Sequence, residues 1–464
     1  MTSGHGGCPG RMTGSSRREF LQHASNGFGW MALSSLMAGK AFAGSGRHFE
    51  GRARNVILLF MPGGVSHMDT FDPKPRLAAM DGQLSGKAKR KWLGTPWSFK
   101  NYGPAGLPVS QLFPHTAGVA GELCVIRSMT SQFPLHARGN IFLHTGRNIG
   151  GFPSLGSWIT YGLGSENQNL PGYVLLHDGT VPPGGLENFA NGFLPATHQA
   201  TVVRAEGAPV QNLAPADSKG IQRAKLDWIA EEDRSFAARL HGHDGIESAI
   251  ANYEMAFRMQ SVVPDVLDLA KETPATRRLY GLDAEPAEKR IYGLQCLRAR
   301  RLVEAGVRFV EVISPELGFS MNGTWDQHDQ LRKGHEKNAM VTDQAVAGLI
   351  KDLRSRGLLD ETLVVWAGEF GRTPDTSNGD GRDHHPDCFT IWVAGGGIKA
   401  GSLYGTTDEL GAKVAENPVT VHDLHATLLH LLGLDHRRLT YRFGGRDASL
   451  TDVHGRVVPE WLGG

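Results

Sequence analysis

The stretch Asn55-Val56-Ile57-Leu58-Leu59-Phe60-Met61 is an apolar run that ends in Pro62-Gly63-Gly64. Unbroken apolar runs of this length suit a strand buried on both faces, as in a parallel sheet. Working outward, Leu123-Cys124-Val125-Ile126 and Tyr173-Val174-Leu175-Leu176 are further strand candidates, as are Val307 to Ile313, Thr362 to Trp366 and Phe389 to Val393. Helical stripes lie between them. Tyr292, Cys296, Ala299 and Val303 fall on one helical face before Gly306, a plausible C-cap. Val341, Ala345, Leu349 and Leu353 repeat the pattern and stop near Gly357. Thr420-Val421-His422-Asp423 reads as a capping box with Asp in place of Glu, opening a helix through Leu431 to Gly433. Strands alternating with helices predict an α/β fold, a doubly wound and mostly parallel sheet with helices on both faces. Residues 177–245 are rich in Gly, Pro, Asn and Ala and lack a clear period, so a loop-rich insertion is expected there. No repeat divides the chain, and residues 44–464 read as one domain.

Composition narrows the function classes. Of 464 residues 60 are glycine, about twice the usual share of roughly 7%. With no G-X-Y period this excludes collagen and points to many tight turns. Residues 1–43 hold Arg11, Arg17, Arg18 and Lys40 against Glu19. The remainder has 44 basic and 46 acidic residues, a net of −2, which offers no basic face for nucleic acid. The four cysteines, Cys8, Cys124, Cys296 and Cys388, have no C-x-x-C spacing, excluding a zinc ribbon or a disulfide-dense scaffold.

Ser16-Arg17-Arg18-Glu19-Phe20-Leu21 matches the twin-arginine export pattern. A diluted apolar stretch from about Gly27 to Met37 and the A-x-A site Ala41-Phe42-Ala43 complete a signal peptide over residues 1–43. The expected location is periplasmic or secreted, with no membrane span in the mature chain. Removal of Cys8 leaves three cysteines. Cys124 and Cys296 sit in apolar runs and are expected to be buried and inert.

In open α/β sheets, ligands bind beyond the carboxyl ends of strands. The residues next to the predicted strand ends are therefore the site candidates. Ser66, His67 and Asp69 follow the first strand, and His136 and Arg138 follow the second. Asp326 and His328 follow the Val307 strand. Glu369 and Arg372 follow the Leu363 strand, and Arg382, Asp383, His384 and His385 come just before the Phe389 strand. Carboxylates mixed with imidazoles suit a divalent cation, zinc first, with Mn, Ca or Mg as alternatives. One or two such ions could assist displacement at phosphorus or sulfur. Arg372 and Arg382 are candidates for gripping an oxyanion. Glu369 has a second reading, as an ion-pair partner of Arg372. Asp72, before Pro73, reads as a turn former, and His422, His425 and His430 read as packing or surface positions of one helix.

Gly63-Gly64-Val65-Ser66-His67-Met68-Asp69-Thr70-Phe71-Asp72-Pro73-Lys74-Pro75, Trp325-Asp326-Gln327-His328, Gly368-Glu369-Phe370-Gly371-Arg372-Thr373-Pro374 and Gly381-Arg382-Asp383-His384 together carry a resemblance. The chain resembles, over nearly its whole length, a family of exported bacterial proteins of unknown function in the alkaline phosphatase/sulfatase superfamily. The resemblance implies an alkaline phosphatase-like fold with a bimetal site at the sheet edge. It also implies hydrolysis or transfer of phosphate or sulfate esters. Carried over, Asp326, His328 and His384 stand as ligands of a first metal, with Asp383 beside them. Glu369, with Asp69 or His67, would hold a second. Phe370 stands where many superfamily members have a metal-binding His, and Pro62-Gly63-Gly64 where they carry an Asp. His136 falls at the nucleophile position, open as nucleophile, ligand or general base. No Cys in a C-x-P-x-R context exists, which disfavours a formylglycine sulfatase.

Two function classes follow. The first is an exported metal-dependent hydrolase acting on a small-molecule or polymer-borne phosphate or sulfate ester. The second is a non-catalytic periplasmic binding or scaffold protein that keeps the fold with a degenerate metal site.

Overall fold

Nine strands build one mixed sheet: β1 (Asn55–Phe60), β2 (Leu123–Thr130), β3 (Tyr173–His177), β4 (Thr201–Arg204), β5 (Phe309–Ile313), β6 (Thr362–Ala367), β7 (Phe389–Ala394), β8 (Ser402–Tyr404) and β9 (Val419–Thr420). Their order across the sheet is β8-β2-β7-β6-β1-β5-β3-β4, with β9 also pairing to β2. The computed structural model describes residues 46–464 except 88, 180, 208, 211–212, 240–243 and 318–323. The twin-arginine segment lies outside the described residues.

The opening run sits at the centre. β1 is parallel to both neighbours, with Leu59 opposite Val312 of β5 and Trp366 of β6. All six of its residues are buried. Ile57, Leu59 and Met61 enter one core with Tyr292, Cys296, Ala299 and Val303 of α5 (Ala287–Glu304) and Val341, Ala345, Leu349 and Leu353 of α6 (Leu331–Ser355). Val56, Leu58 and Phe60 enter the other core. It is covered by α1 (His136–Thr145), α2 (Leu155–Leu163) and α7 (Val421–Leu431). Both predicted stripes thus face the sheet, and helices cover both faces. Each such Val, Leu or Ile contributes about 1.5–3 kcal/mol on burial.

The caps behave as the residues dictate. Thr420 Oγ1 accepts from the Asp423 backbone N–H, and Asp423 accepts from the Thr420 N–H, closing the predicted box. His422 and His425 have the packing roles expected, reaching the carbonyls of Gly146 and Leu143 at the end of α1 at 3.0 and 2.7 Å.

Two expectations change. The segment 177–245 contains the edge strand β4 and the 21-residue α3 (Lys219–Arg239), which pairs with α4 (Asp244–Leu267). The buried α3 residues are the small Ala230 and Ala237, and the large apolar Ile221, Trp228, Ile229 and Phe236 are exposed, so the helix lacks the apolar stripe of a core-facing one. The second change concerns β7, which runs antiparallel to both β2 and β6. A residue just before a parallel strand would lie at the far edge. Reversal of β7 brings its start, and hence His384, to the edge where β1, β2, β5 and β6 end.

Cys124, Cys296 and Cys388 are buried free thiols. Burial pushes the Cys124 thiol up to about 11 and raises Cys296 as well, so neither is a ready nucleophile. Among the described residues no helix is long and apolar enough to cross a membrane.

Candidate metal centre

The chain turns sharply after β1. Gly63 and Gly64 take φ of 113° and 72°, a region that favours glycine. A Cβ on Gly63 would lie 2.5 Å from the Asp326 backbone nitrogen. The Trp325 N–H donates to the Pro62 carbonyl at 3.0 Å. Pro62-Gly63-Gly64 is thus packed against the loop that presents Asp326.

Four strand ends supply the cluster. His136, the first residue of α1, comes from the β2 side, Asp326 and His328 from beyond β5, and Glu369 from the end of β6. His384 precedes β7 and is held by a short antiparallel pairing in which Arg372 faces His384 and Gly371 faces His385.

Three imidazoles turn Nε2 toward Asp326. His136 Nε2 is 3.1 Å from Asp326 Oδ2, and His384 Nε2 and His328 Nε2 are each 3.3 Å from Oδ1. His328 and His384 bring their Nε2 atoms to 2.9 Å of each other. Each ring's Nδ1 is tied to an oxygen. His136 Nδ1 bonds Glu369 at 2.5 Å, His384 Nδ1 bonds the Pro134 carbonyl at 2.6 Å, and His328 Nδ1 bonds Asp383 at 3.0 Å. An outer oxygen on Nδ1 sets the tautomer that leaves the Nε2 lone pair free for a metal. Bonds of 2.0–2.2 Å around a tetrahedral zinc separate its donors by roughly 3.3 Å. The donor atoms of His136, Asp326 and His384 lie within 4.8 Å of one another, so residues and spacing fit a divalent ion. His328 stands at the open rim as a fourth donor.

The electrostatics agree. Burial works against a charge on His136, yet the Asp326 and Glu369 carboxylates raise its pKa to about 9. Asp326, despite its burial, is held well below the usual carboxylate range by His136, His384 and Arg372. His384 is lowered, first by burial.

The remaining predicted residues are engaged elsewhere. Glu369 is buried and accepts from the Gly63 N–H at 3.0 and 3.2 Å while holding His136, so the structure places it behind a ring. Asp383 holds His328 and pairs with Arg90 at 2.6 Å. Arg372 is buried, with Nε on the Gly64 carbonyl and Nη1 on the Arg382 carbonyl, both at 2.9 Å, and Nη2 on Gly63 and Asp326. Its ion-pair partner is Asp326. Asp69 and Arg382 pair with each other at 2.8 and 3.3 Å, and Ser66 donates to Asp69 at 2.6 Å. His67 is buried, 3.0 Å from the Gly411 carbonyl and 3.6 Å from Cys388 Sγ, and burial lowers its pKa to about 4. Asp69, Arg382 and His67 are thus committed outside the cluster. The buried Asp72 pairs with Lys74 at 2.9 Å and Arg127 at 3.3 Å.

Sequence reasoning missed Arg90 and Pro134. Neither is marked by residue type: one is a basic residue among Lys87, Lys89 and Lys91, 293 positions from its partner Asp383, and the other offers only a carbonyl. It also missed the place of Phe370. The Phe370 ring packs 5.0 Å from His136 and 4.8 Å from His384, an apolar wall that limits the rings' rotation.

Comparison with known proteins gives one family. The family described as "Protein of unknown function (DUF1501)" matches residues 53–462. No curated protein matches. Among solved structures, the chain is similar to the lipoteichoic acid synthase LtaP from Listeria monocytogenes, at 9% identity and TM-score 0.36 over 84% of this chain and 76% of that one. It is similar to the PsFucS1 sulfatase from Pseudoalteromonas sp., at 15% identity and TM-score 0.36, covering 82% and 68%. A protein in the alkaline phosphatase superfamily from Vibrio parahaemolyticus has 10% identity and TM-score 0.37, covering 84% and 68%.

Proposed function

The chain belongs to the DUF1501 family, and from that premise we propose that it is an exported, metal-dependent hydrolase of phosphate or sulfate esters. The observation that carries the reading is the orientation of three imidazoles. His136, His328 and His384 all point Nε2 at Asp326 and all have Nδ1 bonded to an oxygen. Rings that served only packing would have no reason to share that polarity.

His136, Asp326 and His384 would hold one ion, with His328 closing the set. Three nitrogens and one oxygen suit zinc, with manganese next. A divalent ion there supplies Lewis acidity toward an ester oxygen. Glu369 and Asp383 orient His136 and His328, Arg372 orients Asp326, and Phe370 keeps water from the inner side. On this reading His136 is a ligand, because Glu369 holds its Nδ1 and leaves the buried Nε2 for the ion. The residues for a second ion, Asp69 and His67, are already committed, which favours a single ion.

A second reading is favoured by one observation. Arg372 and Arg382, the candidate oxyanion grips, spend their guanidinium groups inside the protein. A binding protein that keeps the metal and not the chemistry would look the same. The test is metal content of the purified protein, followed by aryl phosphates, phosphodiesters and sulfates as substrates. One ion per chain, lost in His384→Ala together with ester hydrolysis, is the expected result. An ion without hydrolysis selects the binding reading, and no ion with no thermal shift on Zn, Mn or Ca overturns the hydrolase and selects a scaffold with a degenerate metal site.

Export by the twin-arginine route, with removal of residues 1–43, is part of the proposal and rests on Arg17-Arg18 and Ala41-Phe42-Ala43. Replacing both arginines by lysine should leave the protein in the cytoplasm. Appearance of the double variant outside it would overturn this part.

A further inference from the structure

α3 carries an apolar stripe that nothing among the described residues covers. Its inward face packs on α4 through the buried Ala230 and Ala237, with Arg223 paired to Glu254 at 2.6 Å. Its outward face shows Trp228 at 65% exposure, Ile221 at 53%, Phe236 at 49% and Ile229 at 39%. Spacings of seven, eight and one place these four on the arc turned away from α4. Four large apolar groups along one helix mark a contact site, where single exposed residues would need no explanation.

The order of residues names the occupant. We propose that α3 is a self-association face, pairing antiparallel with α3 of a second copy about a two-fold axis between Trp228 and Ile229. In that register Ile221 meets Phe236 of the other copy, Trp228 meets Ile229, and Lys225 meets Glu232. Every apolar side chain finds an apolar one, and the exposed Lys225 finds an acidic partner, twice over by symmetry. Among the described residues Lys225 pairs with Asp217, on an exposed part of its own chain. The parallel arrangement would set Lys225 against Lys225 and Glu232 against Glu232. The stripe is about 22 Å long at 1.5 Å per residue, which is short for a permanent dimer and suits micromolar association. The proposal does not depend on the metal site, which none of these residues touches.

The experiment is sedimentation velocity over a concentration series, on wild type, Trp228→Glu, Lys225→Glu and the double variant Lys225→Glu/Glu232→Lys. Circular dichroism confirms that each variant keeps its helices. Wild type should dimerise. Trp228→Glu should weaken the dimer about 30-fold, as for a central aromatic anchor. Lys225→Glu should weaken it about tenfold, and the double variant should return to near wild type because the pair is reversed, not removed. A chain monomeric at every concentration, whether or not it co-sediments with phosphatidylglycerol vesicles, overturns the proposal. So does a dimer indifferent to Trp228→Glu, or one the double variant fails to restore.

Discussion

Glu369 accepts from His136 Nδ1 at 2.5 Å and is itself clamped by the Gly63 N–H at 3.0 Å. The carboxylate therefore sets which nitrogen of His136 faces Asp326. Outer partners of this kind are worth about 10–100-fold in metal affinity. Glu369→Gln should lower affinity by that factor, measured by competition with a chromophoric chelator, and keep one ion per chain at saturation. Asp326→Ala should bind no ion at all. If Glu369→Gln lost the ion as completely as Asp326→Ala, Glu369 would be a ligand.

The same contacts give metal binding a pH dependence. With its pKa raised to about 9, His136 is protonated in the ion-free protein at neutral pH. An ion needs the Nε2 lone pair, so binding must expel that proton. Apparent affinity should rise about tenfold per pH unit between 7 and 8.5 and level off near 9. Calorimetry in two buffers of different ionisation enthalpy should count one proton released per ion at pH 7.5. Release of none would remove His136 from the ligand set.

How much of this was legible before folding depends on what carried the signal. β1, β6, α5 and α6 were readable because burial on both sheet faces imposes apolar runs and stripes on Asn55–Met61 and Tyr292–Val303. Asp326 and His328 were found as candidates by residue type and position beyond β5, whereas His384 reaches their edge because β7 is reversed. Glu369 and Asp383 were found as candidates, but their place behind His136 and His328 depends on hydrogen bonds spanning 233 and 55 residues. The reversed β7 was hidden because Phe389–Ala394 is apolar whichever way it runs. Asp69 and Arg382 look like site residues alone, and only their pairing across 313 residues removes them.

Arg372 holds three loop carbonyls and one carboxylate oxygen from a fully buried position. A lysine cannot reproduce the planar fork and leaves several of these oxygens without a donor. Arg372→Lys should cost about 3–5 kcal/mol in denaturant unfolding of the ion-free protein. A loss under about 1 kcal/mol would show that water or a loop shift takes over the contacts.

Gly381 approaches the loop of His328 so closely that an added Cβ would lie 1.9 Å from the His328 carbonyl oxygen. That neighbour is backbone and cannot swing aside. Gly381→Ala should displace His328 and Asp383 together, lowering metal affinity at least about tenfold with β1 and β6 intact. Unchanged affinity would mean that His328 contributes nothing to the ion.

Beneath α1, Glu311 is fully buried and joins His144 Nε2 at 2.7 Å to the Tyr173 hydroxyl at 2.8 Å. Burial alone would lower the His144 pKa, but the Glu311 carboxylate raises it above the ordinary value. A raised folded-state pKa contributes stability that is complete below about pH 6.5 and is lost as pH climbs through the higher folded value. Glu311→Gln removes the charge and lets burial dominate, which reverses the sign. The wild type should therefore lose its advantage over Glu311→Gln as pH rises from 6 to 8, by up to about 1.4 kcal/mol per pH unit. The comparison is made by denaturant unfolding of metal-loaded proteins, so that the metal-site histidines cancel. A difference between the two that stays flat across this range would mean that His144 is neutral in the folded protein at pH 6, with a hydrogen bond to Glu311 in place of an ion pair.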